Sequence, residues 1–242
     1  MRNTPLFANR TQAGEQLAQA IYTILTQQTA EQLAKPVTVV YALPRGGVPV
    51  AAPVARLLNC SLVVEVAKKI GHPENPELAI GAVTASGNVL WDEHKLSFRN
   101  TPKSGWREAA LDAATSQAKS LQAQLNPACP QVNTEGAILI LVDDGIATGM
   151  TIAVAATSLK ALSPAEVWLC TPVAPLELLP WLHQWSDRVI VLSTPKRFFS
   201  VSNFYLEFPQ VETEEAFECL LQQNEEILEK NTEHRTQNTE SN

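Results

Sequence analysis

Leu17, Ile21, Ile24 and Leu25 recur at helical spacing, which predicts an amphipathic helix over roughly 11–28. The run "VTVVYAL", 37–43, lies between Pro36 and Pro44 and predicts a buried strand. A helix over roughly 49–59 follows. Its Pro53 is tolerable if the helix begins near Val50, because the first four amides of a helix have no partner inside it. "SLVVEVA", 61–67, predicts the next strand, so the opening order is that of a parallel βαβ unit. Residues 68–103 break the pattern. Two lysines, Pro73, Pro76, Pro102 and a short alternation in "LAIGAVTASGNVLWDE" predict a loop carrying a small hairpin turned at 86–88. Alternating order then resumes with a polar helix over roughly 104–126 and a strand at 137–142. Helix 150–162, strand 166–171, helix 175–184 and strand 188–193 complete it. Past Gln222 the chain is polar and lacks aromatics, which predicts a fraying helix and then a disordered tail over 223–242. No repeat or linker divides 1–222, so the expected fold is a single α/β domain with a doubly wound, mostly parallel sheet.

Composition narrows the class. The chain has 242 residues, 45% apolar and 18% charged, enough for a sizeable core. No run approaches the roughly 18 apolar residues of a membrane helix, and "MRNTPLFANR" lacks the basic-then-apolar order of a signal peptide. Cys60, Cys129, Cys170 and Cys219 are scattered and read as buried free thiols, so the expected compartment is a reducing cytoplasm. His72, His94, His183 and His234 show no metal-ligand spacing. The net charge of −7 divides into −8 over 206–242 and +1 over 1–205. The body therefore has no excess of base for nucleic acid, although a local basic pocket for a small anion is compatible with it.

Candidate chemistry sits at two strand ends. "ILILVDDGIATGMT", 138–151, runs a buried strand into Asp143 and Asp144, and in an open parallel sheet ligands lie beyond the carboxyl ends of the strands. The loop after the acids, with Gly145 and Gly149, leads into a helix and offers unpaired N–H groups to an anion. Thr148 and Thr151 add hydroxyls. Carboxylates suit hydroxyls or a metal and the amides suit phosphate, and a sugar phosphate carries both groups at that separation. Taken alone, "DDG" is an acidic cap and a turn. A dehalogenase-like phosphatase needs aspartates two residues apart, and Gly145 occupies that place. In "LPRGGVPV", 43–50, Arg45 sets a guanidinium fork beside the bare backbone of Gly46 and Gly47, a pairing suited to pyrophosphate.

The 138–151 stretch resembles the signature segment of type I phosphoribosyltransferases, and "PRGG" is similar to that family's pyrophosphate loop. The resemblance implies a phosphoribosyl pyrophosphate (PRPP) site. Asp143 and Asp144 would hold the ribose hydroxyls, and Ala147, Thr148, Gly149, Met150 and Thr151 the 5′-phosphate. Arg45, Gly46 and Gly47, with Lys68 and Lys69, would take the pyrophosphate. Lys68 and Lys69 resemble the Arg-Lys pair that opens the flexible loop of adenine-type members. Lys69, preferred over Lys68, and Arg45 are the implied catalytic residues, and 68–103 is the implied lid. Magnesium is implied as the companion of PRPP with no dedicated protein ligand, Asp143 and Asp144 being the carboxylates within reach. Residues 195–208 stand where a hood would read the acceptor. Phe198, Phe199, Phe204 and Tyr205 either stack on a flat base or cap the core. Ala147 occupies a position where 6-oxopurine enzymes carry an aspartate, which argues against hypoxanthine or guanine as acceptor.

A less characterised branch of the family is similar over roughly 7–215, through "FANRTQAGEQLA", "ALPRGGVPVA", "KKIGHPENPELAIGAV" and "VDDGIATGMT" in this order. The implied activity is transfer of the 5-phosphoribosyl group to a nitrogen acceptor with release of pyrophosphate. The alternative is a PRPP- or nucleotide-sensing regulator without turnover, against which the intact Arg45-Gly46-Gly47 loop speaks. The expected partners are small molecules, with no nucleic acid and no membrane. A homodimer is compatible with the sequence but not dictated by it.

Overall fold

A computed structural model of the chain describes residues 5–29, 36–72, 74–92 and 105–240. The apolar runs become a five-stranded sheet of β1 (Thr38–Ala42), β2 (Leu62–Val64), β6 (Ile138–Val142), β7 (Glu166–Val173) and β8 (Arg188–Ser193), in the order β2-β1-β6-β7-β8. Every neighbouring pair is parallel. These strands read as apolar runs because both faces are covered. Val40, Ala42, Ile138 and Ile140 face one cluster with Leu17 and Ile21 of α1 (Arg10–Thr29) and Val50 and Val54 of α2 (Gly47–Leu58). The intervening Val39, Tyr41, Leu139 and Leu141 face Ile152, Ala155 and Leu159 of α4 (Met150–Lys160).

The chain leaves β1 towards β2 on one side of the sheet, while β6, β7 and β8 extend the other side. Strand order thus reverses between β1 and β6, and the crevice beyond their carboxyl ends is the topological switch point. The loops that end β1 and β6 are the "PRGG" and "DDGIATG" segments.

Several elements depart from the sequence reading. "SLVVEVA" is not one strand. β2 stops at Val64, and the chain crosses at Glu65 and Val66 into β3 (Ala67–His72) of a second sheet. There β3, β4 (Asn75–Thr84) and β5 (Val89–Trp91) pair antiparallel, with Lys68 opposite Val83 and Lys69 opposite Ala82. The β4–β5 hairpin is as expected, but the lysines are strand residues and not loop residues. Ile70, Ile80 and Val83 bury against Ala114 of α3 (Trp106–Leu125), which gives the segment a core of its own. Pro73 and residues 93–104 of the expected lid lie outside the described residues. α2 begins at Gly47, so Pro53 is a buried interior residue and not a first-turn one. The expected helix at 175–184 is a 3-10 turn (Leu176–Leu178) followed by the short α5 (Leu179–Leu182). Past Gln222 the expected helix is present as α6 (Thr213–Glu240). The Asn224 amide donates to the carbonyls of Leu62 (2.8 Å) and Ala128 (3.0 Å), and Ile227 is buried. No helix among the described residues is long and apolar enough to cross a membrane.

Candidate functional site

Ala42 and Val142 are register partners, so the residues after them emerge side by side at the sheet edge. The Leu43 N–H donates to the Val142 carbonyl at 2.9 Å, and the Pro44–Arg45 peptide is cis. A Cβ on Gly46 would lie 2.1 Å from Asp144 Oδ2, and one on Gly47 2.7 Å from the Val142 carbonyl oxygen. Gly47 is required by the close approach of the Val142 backbone, and Gly46 by the present position of the Asp144 carboxylate, independently of any ligand.

The two acids have different surroundings. Asp143 Oδ1 accepts the Asp144 N–H at 2.8 Å, and Thr171 Oγ1 donates to the Asp143 carbonyl at 3.2 Å. Asp144 Oδ2 accepts from Arg10 Nε at 2.8 Å. Arg10 Nη1 donates to the Pro209 carbonyl at 2.6 Å, and the guanidinium lies 3.6 Å from the Phe208 ring centroid. The Tyr205 hydroxyl donates to the Asp144 carbonyl at 2.6 Å. Burial pushes both carboxyls above the usual range; the neighbouring Asp144 raises Asp143 further, and Arg10 pulls both back down. Burial, reinforced by Asp144, also holds the Tyr205 phenol above its ordinary value, so Tyr205 remains a donor.

Cations line the same crevice. Arg45 Nη1 lies 3.3 Å from Glu212 Oε2 and 3.4 Å from Thr213 Oγ1. Lys68 is half-buried, and burial followed by the charge of Arg45 lowers its ammonium pKa. A cleft of about 570 Å³ brings together Arg10, Arg45, Gly46, Lys68, Asp144 and Phe208. Neighbouring side chains on a strand point to opposite faces. Lys69 is exposed and does not line this cleft; both lysines line a second cavity of about 700 Å³ beside His72 and Trp106. By position, Lys68 and not the preferred Lys69 meets Arg45.

The expected phosphate loop adjoins the acid pair but does not line that cleft. Ala147 and Thr148 are exposed, Thr151 is half-buried, and the Met150 side chain belongs to the core. Met150 can therefore offer backbone alone. Gly149 sits at φ 81° as the N-cap of α4 and makes no side-chain capping bond, so the helix presents its first amides uncapped. A Cβ at Gly149 would also come within 2.4 Å of the Trp181 ring.

Of the hood aromatics, Phe204 and Tyr205 are buried, with Phe7 against Tyr205 and Phe198 against Phe204, so they cap the core. Phe199 is 84% exposed. The aromatic lining the cleft is Phe208, which the sequence reading did not single out. Arg10 was missed as well. A cation in the first turn of a helix opposes the helix dipole, and that local mismatch was the available sign of a tertiary partner.

No group of three or more His, Cys, Asp or Glu side chains capable of holding a metal occurs among the described residues. The donors present, two adjacent carboxylates, are hard oxygen ligands. They suit a magnesium ion that keeps its waters and arrives on substrate phosphates.

Similarity to known proteins follows the same residues. The phosphoribosyl transferase domain family matches residues 10–187, from Arg10 through both sheet-edge turns. Two Mycobacterium tuberculosis proteins, MT0597 of strain CDC 1551 / Oshkosh and Rv0571c of strain H37Rv, carry names that assign them provisionally to the phosphoribosyl transferases. Each is 37% identical over 215 residues, which cover 87% of this chain and 45% of theirs. The chain thus spans less than half the length of these relatives. The crystal structure of TT1426 from Thermus thermophilus superimposes with a TM-score of 0.70 at 32% identity, covering 89% of this chain and 98% of that one. With the acid pair and the "PRGG" turn abutting at the switch point of a parallel sheet and the family match spanning both, the chain belongs to the phosphoribosyl transferase family.

Proposed function

We propose that the protein binds PRPP across the β1–β6 crevice and transfers its 5-phosphoribosyl group to a nitrogen nucleophile, releasing pyrophosphate. The observation that carries this reading is the cleft itself, where a carboxylate from the end of β6 faces Arg45, Gly46 and Lys68. The acid pair serves the ribose diol, and the uncapped start of α4 serves the 5′-phosphate. Arg45 and Lys68 serve the pyrophosphate. The C1–O bond to pyrophosphate breaks with its electron pair leaving on the pyrophosphate oxygen. The C1–N bond then forms from the acceptor lone pair, and the acceptor sheds a proton. Bound magnesium would screen the pyrophosphate charge. The chain's own residues hold sugar and leaving group in line and stabilise the charge that develops as the bond breaks. Ala147 argues for an acceptor other than a 6-oxopurine.

The test is a pyrophosphate-release assay with PRPP and magnesium against a panel of nucleobases and small amines. Release with one acceptor class is the expected result. Tight PRPP binding without release on any acceptor would replace the enzyme reading with a PRPP-sensing module.

A further inference from the structure

Arg10 opens α1, at the helix end where a cation is disfavoured, yet its side chain is 10% exposed. It is held from three directions at once: Asp144 Oδ2 at 2.8 Å, the Pro209 carbonyl at 2.6 Å and the Phe208 ring at 3.6 Å. The same acidic turn is tied again by the Tyr205 hydroxyl on the Asp144 carbonyl. Gly46 closes the other side, since an added Cβ there would meet Asp144 Oδ2 at 2.1 Å and Arg10 Nε at 3.4 Å. The start of α1 and the "PRGG" turn therefore meet the Asp144 carboxylate, and the 205–209 strap holds Arg10 and the Asp144 carbonyl.

We infer that Arg10 is a positioning residue for Asp144: it holds the carboxylate by Oδ2 and so fixes how that carboxylate meets a ribose hydroxyl. The inference rests on the ribose role proposed above. A carboxylate that must meet a sugar hydroxyl at hydrogen-bond distance gains from being immobilised before the ligand arrives. Arginine suits this because its planar fork can bond the carboxylate and a carbonyl together while its face lies on an aromatic ring. Removing it leaves a buried carboxylate without its cation, free to turn away from the sugar.

The test compares ribose 5-phosphate with 2-deoxyribose 5-phosphate by calorimetry on the wild-type chain, Arg10→Gln and Arg10→Lys. A hydrogen bond to a charged carboxylate predicts about tenfold preference for the ribose ligand in the wild type. Arg10→Gln is expected to bring that preference to about twofold or less, largely by weakening the ribose ligand. Arg10→Lys keeps the charge without the fork and is expected to fall between them. It also keeps the question answerable if Arg10→Gln does not fold. A merely structural role would weaken both ligands alike and preserve the ratio, and an unchanged ratio in the folded variants overturns the inference while leaving the ribose site intact. Absence of any preference in the wild type overturns the assignment of Asp144 to the ribose 2-hydroxyl, which is the hydroxyl this test reads, and the role of Arg10 there falls with it.

Discussion

Glu65 occupies the crossing from β2 to β3, is 9% exposed, and its carboxyl is stabilised in the charged form by the nearby Ser158 hydroxyl of α4. Ser158 in turn lies 3.1 Å from Ser86 Oγ, and Ser86 lies 2.8 Å from Thr84 Oγ1. This polar chain ties α4 to the β4–β5 turn, so it joins the two sheets that share the cleft. Burial holds the Glu65 carboxyl at about 7 against an ordinary 4.5, with the Ser158 hydroxyl pulling the other way. Between these values the unfolded chain has released the proton and the folded chain has kept it. The folded state therefore binds more protons, and stability falls as pH rises through that window. At 1.36 kcal/mol per pH unit the loss is about 3 kcal/mol, complete once pH passes the folded value. Glu65→Gln keeps an acceptor for Ser158 and cannot ionise. The variant is expected to match the wild type near pH 4.5 and to exceed it by about 3 kcal/mol near pH 7.5. Urea unfolding of both proteins at half-unit pH steps measures the difference, from which all other titrations cancel. A difference that stays constant from pH 4.5 to 7.5 would refute the reasoning, because it would place the Glu65 carboxyl at the same pKa in both states.

The remaining predictions concern the cleft. Arg45→Ala is expected to weaken PRPP binding about tenfold or more and ribose 5-phosphate binding less than threefold; equal losses by calorimetry would make Arg45 structural. Its ion pair with Glu212 is open to solvent, so the same variant is expected to change the unfolding free energy by no more than about 1 kcal/mol. Gly46→Ala sets a methyl group against Asp144 Oδ2 and is expected to cost about 1–3 kcal/mol in thermal unfolding while lowering PRPP affinity; an unchanged melting temperature would contradict the close approach. Lys68→Ala is expected to lower kcat/KM for PRPP about tenfold more than Lys69→Ala, since Lys68 lines the cleft with Arg45. The reverse ranking would return the role to Lys69.

The central sheet was legible because β1, β6, β7 and β8 are apolar runs closed by breakers, and burial on both faces leaves no alternation to misread. β3 was not, because "AKKIGH" has the composition of a loop. Its strand character comes from pairing with β4 and from Ala67 and Ile70 reaching the core on either side of two lysines. The two turns of the site were legible for a related reason: acids and glycines are costly at the end of a buried strand unless something local requires them. Yet the glycines proved to serve contact between the turns as well as any ligand, a relation that no single segment encodes.

The same limit explains Arg10. Its partner is 134 residues away, so nothing near it in sequence except the unfavourable helix position could mark it. Long-range pairing of this kind is where a fold adds to a motif. "VDDG" supplies the carboxylates, but the Asp144 carboxylate is held by Arg10 of α1 and its carbonyl by Tyr205 of the 205–209 strap. A chain carrying both motifs but lacking a cation at the position of Arg10 would present the same turns with a mobile carboxylate. The motif pair therefore identifies the crevice, and Arg10 with Tyr205 holds the acidic turn at its edge.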